Sequence, residues 1–219
     1  MKRLRVFLLV LAGVAMVVCG LAAHYYYKGF YGSNTRDAHI AAGHRVDALE
    51  ESRIAVKAAE LKKFLGRSGS RYNAGLAFLV DMRLPSGKNR FFVYDLSHDS
   101  IVLAGLVAHG SGETNFSILP VFSNASGSYC SALGRYRVGH PYNGQFGRAY
   151  LLDGLDTSND QALDRHIVLH SYSCVPDGET DPYPICNSRG CPMISPSFLK
   201  SLQPLIDRSP RSIVLWIFT

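Results

Sequence analysis

Three regimes of hydrophobic and polar patterning follow one another along the chain. Residues 6–23 form an 18-residue run without a charge, behind a start that holds Lys2, Arg3 and Arg5. At about 1.5 Å per residue such a run reaches roughly 27 Å, close to the thickness of a bilayer core. A basic stretch ahead of an apolar run directs the following chain out of the cytoplasm. Residues 1–23 are therefore expected to be a signal peptide or an N-terminal membrane anchor. Gly20-Leu21-Ala22 and Leu21-Ala22-Ala23 suit signal-peptidase cleavage, whereas Tyr25, Tyr26 and Tyr27 suit the interfacial belt of an uncleaved anchor. Cys19 reads as an apolar filler, because Val18 is too large for a lipidation signal.

The second regime is helical. Residues 29–36 read as a tether, and residues 37–65 carry a loose apolar stripe of Val46, Leu49, Val56, Ala59 and Leu61, interrupted by Arg53. Gly66, Ser68, Gly69 and Ser70 stop it. Residues 24–70 are thus a tether and a helix that packs on the next domain or lifts it off a membrane.

From about residue 74 the pattern becomes that of short strands. Residues 76–82, 91–96, 101–108, 118–122, 148–152, 167–170 and 213–218 are expected strands. Turn chemistry separates them at Pro85-Ser86-Gly87, His98-Asp99-Ser100, Ala125-Ser126-Gly127 and Asp153-Gly154. Residues 159–165 suggest a short helix. Ser195 followed by Pro196 predicts an N-cap and first helical residue, with Phe198, Leu199, Leu202, Leu205 and Ile206 on one face. Residues 71–219 therefore read as a mainly β domain with a few peripheral helices.

Composition agrees with this reading. The chain is 47% apolar and 18% charged, which supplies a core and excludes wholesale disorder. No sequence period is present, and no run after residue 23 is long and apolar enough to span a bilayer. The leader's three basic residues account for half of the net charge of +6. What remains is a mildly basic body, compatible with a negatively charged wall polymer. It shows no basic stripe interleaved with aromatics, so no nucleic-acid partner is expected.

Candidate chemistry concentrates between His170 and Pro192. His170 ends an apolar strand, where the sheet can fix its ring facing a cleft. Cys191 follows Gly190, where the backbone can approach a substrate closely. A thiol needs a base to become the nucleophilic thiolate, and a histidine within reach can supply it and later protonate a leaving amine. Arg189 and the start of the helix at Pro196 favour negative charge nearby. The amides of Gly190 and Cys191 are candidate oxyanion donors.

Two structural alternatives compete with this Cys–His reading: a buried strand histidine with a disulfide-bonded Cys191, and a zinc set of Cys174, Cys186, Cys191 and His170. Zinc is disfavoured because no C-x-x-C is present, and no metal is expected. After the leader Cys130, Cys174, Cys186 and Cys191 remain. In an oxidising compartment a reactive cysteine must stay unpaired. Cys174 and Cys186 flank a loop with Pro176, Pro182 and Pro184, which a disulfide would staple. Closing a loop this short stabilises by about 3 kcal/mol on the chain-entropy estimate. Cys130 would then be a small buried residue, and a Cys130–Cys191 bridge would contradict the nucleophile.

His170 with Ser188-Arg189-Gly190-Cys191-Pro192 resembles the signature of the murein L,D-transpeptidase catalytic-domain family, whose motif contains Ser-x-Gly-Cys-Pro. Phe91-Phe-Val-Tyr-Asp-Leu96, Val107-Ala-His-Gly110, Phe122-Ser-Asn124, Gly127-Ser128, Leu133-Gly134, Leu152-Asp-Gly154 and Arg165-His-Ile-Val-Leu-His170 fall in the family's order, so the resemblance covers roughly residues 50–219. It implies a β-sandwich-like catalytic fold, no cofactor and a site in the bacterial cell envelope. The reaction implied is attack after the third residue of a peptidoglycan stem peptide, release of terminal D-Ala, and transfer of the thioester to an amine of a neighbouring stem.

By position Cys191 is then the nucleophile and His170 the base and acid, with Ser188 and Gly190 shaping the turn. Arg189 would clamp a substrate carboxylate, since Asn187 stands where the family often carries arginine. His109, Ser123 and Asn124 would line the substrate side, and Ser128 lies with them. Cys130 stands where serine is common and Cys174 where an aromatic is usual, so the Cys174–Cys186 loop would narrow or cover the cleft. Alternatives in the same resemblance are an L,D-carboxypeptidase or cross-link hydrolase. A non-catalytic wall-binding module is a third, against which the pairing of His170 with Cys191 argues.

Overall fold

The computed structural model describes residues 48–219, together with residues 16–18 and 20–21, which are helical. The expected leader and tether fall almost wholly outside the described residues. Among the described residues no helix is long and apolar enough to cross a membrane.

The element order is α1 (Ala48–Arg67), β1 (Tyr72–Asp81), β2 (Phe91–Asp95), β3 (Ser100–Gly105), β4 (Val107–Ala108), β5 (Gly134–Gly144), β6 (Gly147–Gly154), β7 (Val168–Ser171), β8 (Met193–Ile194), α2 (Pro196–Asp207) and β9 (Ser212–Phe218). All nine strands join one sheet in the order β3-β2-β1-β9-β5-β6-β7-β8-β4. The pairs β1–β9 and β7–β8 are parallel, and the rest are antiparallel.

Leu106 alone separates β3 from β4, although these strands are the two opposite edges of the sheet. The sheet must therefore curl until its edges meet. Arg90 holds the seam. Its amide donates to the Gly105 carbonyl at 3.1 Å. Its fully buried guanidinium donates to Val107 O through Nε and Nη2, at 2.9 and 2.7 Å, and to Leu84 O at 3.1 Å.

Side-chain alternation along β1 sends Phe78 and Val80 to one face and Ala77 and Leu79 to the other. Both faces are covered. The first joins a core with Phe91, Tyr136, Tyr150, Leu169 and Leu215, into which α2 inserts Leu199 and Leu202. The second packs against Ile54, Ala58, Leu61 and Leu65 of α1. Burial on both faces explains why residues 76–82 and 213–218 read as nearly continuous apolar runs.

The mainly β expectation holds, and several elements differ in detail. The buried stripe of α1 is Ile54, Ala58, Leu61 and Leu65, whereas Leu49 and Val56 are more than half exposed. Arg53 is no interruption, because it ion-pairs with the buried Asp81. Residues 101–108 split at Leu106 into β3 and β4. Residues 118–122 are not a strand. Only Phe122 bridges, to Ser131, while Ile118, Leu119 and Val121 are exposed around Pro120. Residues 159–165 form successive turns, such as Ala162 N–H to Asn159 O, in place of a helix.

The N-cap expectation holds. Ser195 Oγ accepts the Phe198 amide at 3.1 Å, with Pro196 first in α2. Ser195→Ala should therefore lower stability by about 1 kcal/mol in urea titration, with an unchanged m-value. An unaltered midpoint would show that the cap contributes nothing.

Candidate active site

Parallel pairing of β7 with β8 brings the candidate residues together. His170 lies opposite Met193, and Cys191 precedes Met193 by two positions. The thiol consequently sits at the start of β7, with Sγ 3.9 Å from the carbonyl of His166. It is free, as is the buried Cys130, whereas Cys174 and Cys186 are joined as expected, Cα to Cα 6.1 Å. That disulfide also removes two of the four residues of the zinc alternative. Val175 and Ile185 from the stapled loop pack on Leu106, Ala108 and Met193, so the loop braces the seam beside the site.

The His170 ring is oriented by its own strand. Its Nδ1 lies 3.3 Å from the Ser171 carbonyl, which can only accept. The proton is therefore on Nδ1, and Nε2 keeps its lone pair. Cys191 and His170 make no direct hydrogen bond to each other in this arrangement. Burial pulls His170 below the ordinary histidine value, against a small opposing effect of the Ser171 carbonyl. Burial pushes the Cys191 thiol up, opposed by the Val168 amide and the charge of Arg165. Both shifts favour the uncharged form, a neutral imidazole at His170 and a thiol at Cys191.

The loop carrying Cys191 is held from several directions. Gly190 has φ of 110°, and a Cβ there would stand 2.8 Å from the Cys130 carbonyl, so the position requires glycine. Ser188 Oγ accepts the Gly190 amide at 3.1 Å and donates to the Cys191 carbonyl at 2.6 Å. Buried Ser131 donates to the Gly190 carbonyl and accepts the Gly110 amide. The amides of Ser188 and Ser111 pair with the carbonyls of His109 and Ser188, each at 2.9 Å. Because Ser188 takes the Gly190 N–H, that amide is not available for an oxyanion, contrary to the sequence reading.

The other expected residues divide. His109 is fully buried and faces no cleft. Arg90 Nη2 donates to its Nδ1 at 2.9 Å, and its Nε2 lies 3.1 Å from the Ser117 carbonyl. Burial and the Arg90 charge pull its value down to about 4, so it is a neutral brace beneath the Cys191 loop, not a substrate contact. Ser123 Oγ accepts the Ala125 amide, and Asn124 Nδ2 donates to Asp160 at 2.7 Å, so both are engaged in loop bonds. Arg189 is exposed, 5.2 Å over the Tyr129 ring.

Three contributors escaped the sequence reading. Arg165 donates to the carbonyls of Ser123 and Cys130 at 2.9 and 2.6 Å, which sets its charge behind Gly190 and Cys191. Its only sequence signal is its place at the head of the segment ending in His170. Asn187 accepts the Ser117 amide at 2.6 Å and ties down the loop before Pro120. Phe146 stacks on the His170 ring.

The model of the L,D-transpeptidase catalytic domain matches residues 48–216. No curated protein matches the chain. Among solved structures, the Enterococcus faecium L,D-transpeptidase is similar at 13% identity and a TM-score of 0.40, over 66% of this chain and 50% of that one. The Mycobacterium smegmatis L,D-transpeptidase is similar at 11% identity and 0.39, over 66% and 59%. The Stackebrandtia nassauensis enzyme gives 13% and 0.38, over 75% and 65%. The chain thus spans about half to two-thirds of the length of these structures. The extent of the domain match, over most of the described sheet and the whole Cys191 loop, establishes that this chain belongs to the L,D-transpeptidase catalytic-domain family.

Proposed function

We propose that the domain catalyses cysteine-dependent acyl transfer on peptidoglycan stem peptides in the cell envelope. The observation that carries this reading is the free Cys191 thiol at the mouth of β7, two register positions from a neutral His170 whose Nδ1 is tied to Ser171. Cys191 Sγ attacks the carbonyl carbon after the third stem residue, and its proton passes to His170 Nε2. Hydrogen bonds of this kind tighten in the Michaelis complex. The Cys191 amide, left over once Ser188 has taken that of Gly190, donates to the developing oxyanion. Collapse breaks the C–N bond, and His170 returns the proton to the leaving D-Ala amine. An acceptor amine then attacks the thioester, gives its proton to His170, and the sulfur leaves and is reprotonated.

No step of this sequence draws on a cofactor. The Cys174–Cys186 disulfide and the basic, apolar leader both support an extracytoplasmic location, secreted or held to the inner membrane through residues 6–23. Arg189, exposed over the Tyr129 ring, would meet a substrate carboxylate. Water in place of the amine would give the carboxypeptidase or hydrolase outcome, which product analysis on muropeptides with and without an acceptor amine separates.

Cys191→Ala should lower turnover of a tetrapeptide stem by about 10⁴-fold or more. Cys130→Ser, at a buried free thiol, should leave it unchanged. Equal turnover by wild type and Cys191→Ala would refute the acyl-enzyme. The pH dependence follows from the two shifts. His170 stays an unprotonated base to pH values below the ordinary 6.5, so the acid limb of kcat/KM should fall below that value. The raised thiol should make iodoacetamide alkylation of Cys191 rise only at more alkaline pH than free cysteine requires. Rapid alkylation at neutral pH would indicate a preformed thiolate–imidazolium pair and contradict this electrostatic account.

A further inference from the structure

The turn between β5 and β6 places an aromatic ring where the core has no use for it. Beyond Arg137, β5 leaves β9 and pairs only with β6, as far as Gly144 opposite Gly147. Gln145 and Phe146 form the tip, with Gly147 at a φ of 78°. Phe146 is 47% exposed and joins no buried cluster. Its ring lies 4.8 Å from the His170 ring at an interplanar angle of 23°, and meets Tyr172 edge-on at 5.6 Å. A large apolar side chain at a solvent-facing turn gains little from the core, so the His170 face is what it covers.

We propose that Phe146 is a positioning residue for the acyl-transfer reaction: stacked on one face of His170, it fixes the plane of the imidazole and keeps water from that face, while leaving the ring edge with Nε2 open to the thiol. The inference rests on the function proposed above. Two constraints acting together define the ring. The Ser171 carbonyl fixes its rotation through Nδ1, and Phe146 fixes its tilt. Only a ring held in both respects presents the same nitrogen to the reacting sulfur at every turnover, which is where orientation contributes to rate.

The neighbours of the imidazole make the effect readable. On the strands beside it, Ala149 and Met193 stand opposite in register and carry no charge. The titratable groups on the flanking elements are Tyr172 just after β7, Cys191 ahead of β8, and Arg148, Tyr150 and Asp153 on β6, where Asp207 holds Arg148 and Tyr150, and Asp153 pairs with Arg137. The depression of His170 comes from burial, with no charged side chain contributing, so removing its cover should release it.

The test is an NMR titration of the His170 ring in the full-length protein, in wild type, Phe146→Ala and Phe146→Tyr, alongside steady-state kinetics on a tetrapeptide stem. Matching amide spectra verify that each variant is folded. The His170 midpoint should move up towards the ordinary histidine value in Phe146→Ala and return in Phe146→Tyr. The kcat should fall about tenfold in the alanine variant with little change in KM, and recover with tyrosine. An identical His170 midpoint in all three proteins, or an unchanged kcat in Phe146→Ala, would overturn the inference. Absence of turnover in wild type would refute the proposed function instead, and the ring titration would still decide whether Phe146 governs His170.

Discussion

A buried cation closes this fold. Arg90 has no exposed surface, and its guanidinium is solvated by the carbonyls of Val107 and Leu84 and by Nδ1 of His109. Burial pulls its value down to about 9, so the charge persists at neutral pH but is held at a cost that only these acceptors offset. The same side chain determines the tautomer of His109, and the His109 backbone accepts the Ser188 amide. A line of bonds therefore runs from the meeting of the sheet edges to the loop that carries Cys191. Were the edges to part, β4 would lose its place beside β8, and the loop would lose the Gly110–Ser188 bridge that supports it.

On that scaffold the chemistry arises from restraint. The site holds its thiol and its imidazole in partly desolvated surroundings that favour the neutral form of each. Arg165 supplies positive charge near the sulfur and so opposes the effect of burial on the thiol. In the function proposed above, proton transfer therefore accompanies attack and does not precede it. Ser171 fixes the His170 tautomer, and Ser188 and Ser131 hold the backbone of the Cys191 loop.

Much of this was legible in the sequence where one physical signal dominated. Continuous apolar runs gave the strands buried on both faces, Ser195-Pro196 gave the start of α2, and loop spacing gave the Cys174–Cys186 pair. Less legible were elements whose character depends on distant partners. The outer half of β5 is polar and glycine-containing because it is an exposed hairpin, so it carried no strand signal. Residues 118–122 carried one, yet only Phe122 pairs, in a single bridge to Ser131. The register of α1 was misread because Arg53, an apparent break, reaches the buried carboxylate of Asp81 at the far end of β1. His109 looked like a cleft residue because Val107-Ala-His-Gly110 falls in the family's order. Only the placement of Arg90 shows that the ring is sealed inside. Arg165 and Phe146 contact residues they do not adjoin in the chain, and beyond the place of Arg165 at the head of the segment ending in His170 the sequence does not signal those contacts.

The central claim is that one sulfur, Cys191, carries the acyl group. Intact-protein mass spectrometry after incubation with a carbapenem, followed by peptide mapping, tests it most directly. The account predicts a single covalent adduct, on the peptide containing Cys191, with Cys130 unmodified and Cys174–Cys186 still bridged. An unmodified protein, or an adduct mapped to Cys130, would contradict it.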